Sequence, residues 1–468
     1  MKSTELTSVD GSRSGRAQTS EWSLRGLLIG LMIPIGMTTL NMSMFGVALP
    51  AIRDSFGIAP DVVAWISTAY SLPFVVFMPL YGKLGDGLGK DKLFLGGIGL
   101  FTLGSLLCLL AADLPMLLMG RVLQGVGTAG INPLCLAIIA DAFPEDQQGK
   151  AMGTWSSVGP GASMLGPLLG GFAVDYLGWN YIFLMSIVAA IIAFYFVNRH
   201  IPSLQTSRPP GFLREFDWLG VLLLGGFLVF FIFYLSSRAL TGVEPLQDWR
   251  LLAATLLCGL AFWQWEKRAG VPLVNLQLYA IKNFGTASFA AGLRMFVMGS
   301  MGFLKVLYLA DIYGMGATGL GVFTTVYAGA ILATTRLGGQ LADGRFARRV
   351  LLISFAIQLL TLAGLATFGL PVWAAMGLML GQGIGAGLAL ASLHRIAMRD
   401  VPGDESGSAA GLYSTARFAG STFGAAIAGV ALQQAELVMP LTGAYQLVFG
   451  LIGTSCLVSL VVSWRLEK

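Results

Sequence analysis

Four basic residues stand inside long apolar stretches and are the side chains best able to do chemistry: Arg121, Arg294, Lys305 and Arg417. If those stretches cross a membrane, each charge is costly unless it faces a cavity or a partner, so each is a candidate functional residue. Arg294 and Lys305 are eleven residues apart, which places them on one face of a helix about 16 Å apart. Such a pathway would suit an anionic or zwitterionic amphiphile better than a lipophilic cation, because like charges repel.

A structural role is the alternative for the same residues. Lys305 could extend toward the membrane surface while Arg294 donates to backbone carbonyls, and Arg121 could lock neighbouring helices together in the same way. Gln124 follows Arg121 by three residues and therefore shares its helix face. The residue types alone leave both interpretations open.

No residue pattern supports enzymatic chemistry. The chain has two histidines, His200 and His394, and four cysteines without C-x-x-C spacing, so we expect no metal centre and no histidine-based hydrolase. The run Gly125–Gly130 satisfies G-x-G-x-x-G, but it lies in an apolar stretch with no strand before it, which argues against a dinucleotide site. We find no phosphate-binding loop. The sequence therefore predicts neither an enzyme nor a bound cofactor.

Membrane-spanning helices must position these residues. Only 11% of the 468 residues are charged, 55% are hydrophobic and the mean hydropathy is +0.75, whereas a soluble chain carries about 25% charge. Apolar runs of about 20 residues predict an all-α polytopic membrane protein with 14 transmembrane helices. They lie near 26–49, 63–82, 93–111, 115–139, 152–172, 181–198, 218–237, 250–266, 284–309, 318–336, 350–368, 372–393, 409–432 and 443–464.

Basic residues are distributed unevenly between the two sides of these helices. The two tails and the loops after even-numbered helices hold 22 Lys and Arg, whereas the opposite loops hold three: Arg53, Arg238 and Arg250. This bias predicts that both termini are cytoplasmic in a plasma membrane. It also explains the net charge of +5, so binding to nucleic acid is not expected. Residues 1–22 are polar and predict a disordered tail.

An internal repeat divides the chain. The runs Gly82–Gly87 and Gly339–Gly344 both read G-x-L-[small]-D-G, 257 residues apart. They are eight helices apart, whereas two equal halves of six helices would place them six apart, so two helices are inserted between the halves. The resulting 6+2+6 order gives bundles at 23–200 and 284–468, with linkers and the two extra helices in 201–283. Paired halves around a central site are typical of secondary transporters.

These motifs resemble those of the major facilitator superfamily, in particular its fourteen-helix drug:proton antiporter branch. Gly82–Lys92 is similar to the helix 2–3 signature G-x-L-a-D-r-x-G-r-k, Arg121–Gly127 to R-x-x-Q-G-x-G, and Gly161–Gly171 to the Gly-Pro signature of the antiporter branches. The resemblance implies a secondary transporter that exports lipophilic or amphiphilic small molecules by alternating access, in exchange for protons. We expect it to act as a monomer in the lipid bilayer.

The motif around Asp86 is predicted to form a tight loop that gates the conformational change. Gly82 and Gly89 permit the required backbone conformations, Lys90 follows them, and Asp86 could accept from the N–H groups of a neighbouring helix end. Asp343 repeats the acid in the second half. A static loop cap is the alternative.

The Gly-Pro run is predicted to shape helix 152–172. Gly166 and Gly170 form a small-residue face that allows close packing. Pro167 removes a backbone hydrogen bond and is expected to bend the helix, which would seal the pathway on one side.

One position departs from the branch pattern. Where an L-D-x-T-x-x-N-x-A-L-P pattern would place a membrane aspartate, this chain has Asn41. Proton coupling would then use a peripheral acid such as Asp311, just past helix 284–309, or a basic group, or the titration of the substrate. Two other functions stay open: export of an anionic lipid or amphiphilic metabolite, and a facilitator or symporter without proton antiport. A receptor or scaffold would need soluble domains that the loops do not offer.

Overall fold

The protein is described from a computed structural model, which covers residues 21–201, 217–235, 243, 247–268, 276–281, 283–341, 347–367, 369–401 and 406–464. Nearly all of these residues are helical, and no strand occurs among them. The predicted all-α class is confirmed. Residues 1–20 of the predicted tail lie outside the described ranges, whereas Glu21 and Trp22 already belong to the first helix.

Most of the helices are long, and most of the described connections between them are short. In chain order they are α1 (Glu21–Phe56), α2 (Pro60–Leu88), α3 (Lys90–Leu109), α4 (Leu114–Ala129), α5 (Ile131–Ala142), α6 (Glu145–Ser156), α7 (Val158–Tyr176), α8 (Tyr181–His200), α9 (Trp218–Leu235), α10 (Trp249–Glu266), α11 (Phe284–Tyr313), α12 (Ala317–Leu341), α13 (Ala347–Leu365), α14 (Val372–Met398), α15 (Ser406–Glu436) and α16 (Leu441–Trp464). A short 3-10 segment, Leu276–Ala280, precedes α11.

Two of the fourteen predicted helices are each divided in two by a proline. Predicted helix 115–139 becomes α4 and α5, with Gly130 between them, and predicted helix 152–172 becomes α6 and α7, with Ser157 between them. Each break lies three residues before a proline, Pro133 or Pro160, whose missing N–H cannot bond the carbonyl four residues earlier. By contrast, α7 continues without interruption through Pro167.

Eleven of the described helices are long and apolar enough to cross a membrane, counting α4 and α5 as one span. The predicted helices 152–172, 250–266 and 409–432 also form, as parts of α6 and α7, α10 and α15, but they are not among the eleven. The chain is therefore a multi-pass helical membrane protein.

The pattern of helix neighbours occurs twice. In the first part of the chain, α1 packs on α7 and α8, and α3 packs on α4; in the second part, α11 packs on α15 and α16, and α13 packs on α14. Helices α9 and α10 pack on each other, and α9 also contacts α2 and α15. Two equivalent bundles with two added helices would give this pattern, and the 6+2+6 order with its boundaries stays a prediction.

The two halves meet along α2 with α15 and along α7 with α12. We call the side on which α1 begins the terminal side and the opposite side the far side. On α15, Gly429 lies against Ala64 near the far end of α2. On α12, Gly321 lies against the Pro167 carbonyl of α7, and Thr325 donates its hydroxyl to the Met164 carbonyl at 2.9 Å. These contacts hold the halves together along the far side.

Candidate functional site

In the N-terminal half, Arg121 is buried within the bundle and is surrounded by neutral partners. Its Nη1 donates to Gln124 Oε1 at 2.9 Å and lies 3.4 Å from Asn41 Oδ1. Its guanidinium carbon lies 3.9 Å from the ring centroid of Phe45 and 4.6 Å from that of Tyr70. The charge is thus stabilised by amide oxygens and aromatic faces, with 2% of the residue exposed.

The two amides extend these contacts to further helices. Asn41 Nδ2 donates to Ser186 Oγ at 2.8 Å, and Gln124 Nε2 donates to Ser105 Oγ at 2.8 Å. We call Asn41, Ser105, Arg121, Gln124 and Ser186 the amide network. It joins α1, α3, α4 and α8, so three of the sequence candidates lie together: Asn41, Arg121 and Gln124.

In the C-terminal half, Lys305 has a different environment. It is buried on α11, with 6% of the residue exposed, and its Nζ lies 4.5 Å from the ring centroid of Tyr327 on α12. No described residue accepts a hydrogen bond or forms an ion pair with this Nζ. The Tyr327 hydroxyl instead donates to Gln382 Oε1 at 2.6 Å. Lys305 is therefore held inside the bundle and does not extend to the surface.

The other two cations of this half lie nearer the terminal side. Arg294 is buried and donates its Nε to the Ala386 carbonyl at 2.8 Å. A bond to a backbone carbonyl is what we predicted for Arg294 in a structural role. Its guanidinium lies within electrostatic range of Arg417, Tyr413 and Tyr327. Arg417 lies 5.7 Å from the Tyr413 ring centroid, and its buried Nε has no hydrogen-bond partner.

A bidentate ion pair joins the two halves at the far side. Arg53 Nη1 and Nη2 donate to the Asp311 oxygens at 2.7 and 2.6 Å, and the Tyr445 hydroxyl donates to Asp311 Oδ2 at 2.5 Å. Arg53 also contacts Asp54 at 2.9 Å. The sequence assignment of Arg53 to a loop and of Asp311 to a position past its helix is wrong, because α1 continues to Phe56 and α11 to Tyr313.

Asp175 makes a second polar contact between the halves, which the sequence analysis missed. Its Oδ1 and Oδ2 accept from the backbone N–H groups of Ala317 and Thr318 at 3.1 and 2.7 Å. Those N–H groups begin α12, where a carboxylate is favoured by the free donors and the helix dipole. Asp175 thus makes, at the far side, the kind of carboxylate contact with a helix end that was predicted for Asp86.

The motif around Asp86 is mostly helix and not the predicted loop. Helix α2 runs to Leu88 and Lys90 begins α3, so the chain reverses at Gly89 alone, with φ 99° and ψ 120°. One residue suffices because glycine readily adopts a positive φ. The side chain of Asp86, the surroundings of Gly82 and all of Asp343 lie outside the described parts, so their gating role stays a prediction.

The Gly-Pro run lies at a packing surface. Gly166 lies against Ser43 of α1, and Gly170 lies against Met44 of the same helix. Pro167 presents its carbonyl to Gly321 of α12. The glycines therefore permit close helix packing, and the residue after Gly166 takes part in the contact between the halves.

A second sequence repeat relates Gln124 of the amide network to Gln382 in the C-terminal half. Gln382-Gly383-Ile384-Gly385 has the same Q-G-x-G pattern as Gln124-Gly125-Val126-Gly127, 258 residues earlier, and Arg53 and Asp311 are also 258 residues apart. This offset is within one residue of the 257 that relates the two G-x-L-[small]-D-G motifs. The pattern was readable in the sequence and would have indicated that Gln124 and Gln382 are equivalent, with Met379 in the place of Arg121.

Comparisons with known proteins agree with this architecture. The model of the Major Facilitator Superfamily matches residues 31–265 and 284–468. Multidrug resistance protein 3 of Bacillus subtilis is 27% identical over 87% of this chain and 79% of its own length. The riboflavin transporter RibZ of Clostridioides difficile is 27% identical over 84% of each chain. A solved bacterial homologue of the human lysosomal transporter Spinster, inward-facing and occupied, shares the fold with a TM-score of 0.68 at 13% identity, over 95% of this chain and 97% of that one.

Proposed function

This chain belongs to the Major Facilitator Superfamily, and from that premise we propose that it exports lipophilic or amphiphilic small molecules by alternating access, in exchange for protons. We place it in the plasma membrane as a monomer with both termini cytoplasmic. Similarity to a multidrug resistance protein supports the amphiphilic substrate class. Similarity to a riboflavin transporter leaves the individual compound open.

The observation that carries this proposal is the position of the contacts between the halves. The Arg53–Asp311 ion pair and the Asp175 contact with α12 both lie at the far side, while the amide network and the Lys305 region are buried deeper within their own halves. Alternating access requires contacts of this kind to break so that the other state can form. Both are polar contacts between preformed helix ends, which can separate without unfolding a helix.

Asp311 is our candidate for the coupling acid. Protonation of Asp311 would remove the negative charge that holds Arg53 and would favour opening of the far side. The other charged or titratable groups at this point are Asp54, Tyr445 and Glu436, with Asp61 beside Glu436. Asn41 cannot take up and release the coupling proton, because an amide does not titrate in the physiological range.

A facilitator without proton antiport is the second candidate. It is favoured by Asn41, which lies beside Arg121 where the antiporter pattern would place a carboxylate. The two candidates differ in whether substrate movement consumes a pH gradient.

Purified protein in liposomes with an imposed pH gradient and an internal pH dye distinguishes them. We expect an accepted amphiphile to dissipate the gradient with wild type. Asp311→Asn should abolish this proton movement, whereas Asp54→Asn should preserve it, because Asp54 also contacts Arg53 but is exposed. Substrate movement that leaves the gradient intact in wild type would favour the facilitator. Equal proton movement by wild type and Asp311→Asn would remove Asp311 from the coupling step.

A further inference from the structure

Lys305 carries a buried charge for which the described part of the protein supplies no counter-ion. Among the described residues, the face of Tyr327 is the partner that Nζ contacts, at 4.5 Å from Nζ to the ring centroid. An ammonium group removed from water is strongly disfavoured unless it is paired and hydrogen-bonded. A ring face offsets only part of that cost. The described residues therefore offset the cost of burying the Lys305 charge only in part.

The neighbouring charges increase this imbalance. Arg294 lies on the same helix, eleven residues before Lys305 and nearer the terminal side. Within the described residues, neither Arg294 nor Arg417 forms an ion pair, and Arg417 Nε has no acceptor. Three cations with no paired acid make this region electropositive, which favours the approach of a negative group and disfavours a cation.

Hydrogen-bonding groups and an open position on α11 lie near Lys305. Tyr327 and Gln382 bond to each other beside the ammonium at 2.6 Å, and both carry groups that can be redirected to a ligand oxygen. One turn before Lys305, Gly302 has open space where a side chain would begin. The surface of α11 is therefore open one turn from Lys305, on the approach to the ammonium group.

We propose that Lys305, with Tyr327 and Gln382, forms an anion-binding subsite that takes the carboxylate, sulfonate or phosphate group of an amphiphile. The ligand's negative charge pairs with Nζ, and its apolar body lies in the apolar interior between the halves. Arg294 and Arg417 attract the anion from the terminal side. This inference rests on the proposed export of amphiphiles and specifies their charge.

Binding of two matched fluorescent probes tests the subsite without any transport. The probes are 8-anilinonaphthalene-1-sulfonate, which is anionic, and N-phenyl-1-naphthylamine, the same scaffold without the sulfonate. Their affinities are measured for protein in phosphatidylcholine nanodiscs, with empty discs subtracted. Because the readout is equilibrium binding, it can fail while proton-coupled transport succeeds, and the converse also holds.

We expect Lys305→Gln and Lys305→Met each to weaken binding of the sulfonate about tenfold, the loss of roughly 1.4 kcal/mol, and to change binding of the neutral probe less than twofold. Lys305→Arg should retain most of the sulfonate affinity. Lys267→Gln is the matched control, because Lys267 also lies over a ring, that of Trp263, at 4.1 Å but on an exposed helix end. It should leave both affinities unchanged.

A measurement on wild type covers the case in which the variants do not fold. The sulfonate should raise the thermal midpoint of the protein and the neutral probe should raise it less. The proposal is overturned if the two probes stabilise wild type equally, if the Lys305 variants keep the sulfonate affinity, or if they lose both probes to the same extent. A loss of sulfonate affinity in discs that contain phosphatidylglycerol that occurs in wild type and is absent from Lys305→Met would support the subsite and identify a lipid headgroup as its occupant.

Discussion

Arg121 in the N-terminal half and Lys305 in the C-terminal half are buried in opposite ways. In the N-terminal half, Arg121 has two amide oxygens and two ring faces around it. In the C-terminal half, Lys305 has one ring face. A buried charge that is surrounded by acceptors becomes part of the packing, since its removal would leave those acceptors unpaired. A buried charge without acceptors destabilises the folded state. Such a charge is therefore the better candidate for contact with a ligand.

The repeated Q-G-x-G pattern makes this contrast specific. Gln124 accepts from Arg121, whereas the equivalent Gln382 accepts from the Tyr327 hydroxyl. In the C-terminal half, the hydroxyl of Tyr327 therefore bonds to Gln382, and the ammonium group of Lys305 lies over the ring of the same tyrosine. The glutamine at this repeated position therefore accepts from a cation in the N-terminal half. In the C-terminal half it accepts from a tyrosine, and the nearby cation has no acceptor among the described residues.

Arg121→Met should have the largest effect on stability. It leaves the Gln124 and Asn41 side-chain oxygens without their donor, at about 1–3 kcal/mol for each buried group, so we expect destabilisation by about 2–4 kcal/mol. This loss of stability is measured as a lower midpoint of thermal unfolding of the purified protein, with size-exclusion chromatography as the detection method. Arg250→Met, at the exposed start of α10, is the control and should leave stability unchanged. A wild-type midpoint for Arg121→Met would mean that the amide network does not hold these helices together.

Asn41→Asp should have a smaller effect of opposite sign. A carboxylate next to Arg121 adds a charge-assisted bond, and we expect a gain of about 1–2 kcal/mol at neutral pH. The gain should disappear as the pH falls far enough to protonate the new acid, because a carboxylate paired in the folded state stabilises only while it is ionised. Unfolding midpoints across a pH series test this. A variant less stable than wild type at neutral pH would show that Arg121 is already fully compensated.

Lys305→Met should have the smallest effect. It removes an unpaired charge and retains much of the side-chain volume, so we expect stability within about 1 kcal/mol of wild type, or slightly above it. The same unfolding assay measures it beside Arg121→Met. If the two substitutions destabilise the protein equally, the contrast between the halves is wrong and Lys305 is a packing residue.

The amino-acid sequence alone was sufficient to predict the fold class and the approximate positions of the helices, and it places the four cations inside apolar runs. Hydropathy is a local property, and a charge inside an apolar run remains inside it however the helices pack. The spacing of Arg121 and Gln124 likewise predicted a contact, because residues three apart share a helix face. The extent of the helices was less readable, since polar end residues such as Arg53 and Asp311 resemble loop residues.

Which of these groups have partners became visible in the packing of the helices. Asn41 lies 145 residues from Ser186, and Arg53 lies 258 residues from Asp311. Nothing in the hydropathy of either segment specifies that pairing. Asp175 illustrates the same point, because its role depends on where α12 begins in space. Whether a buried charge is bonded or left unpaired depends on which helices face it, and that is set by packing between distant parts of the chain.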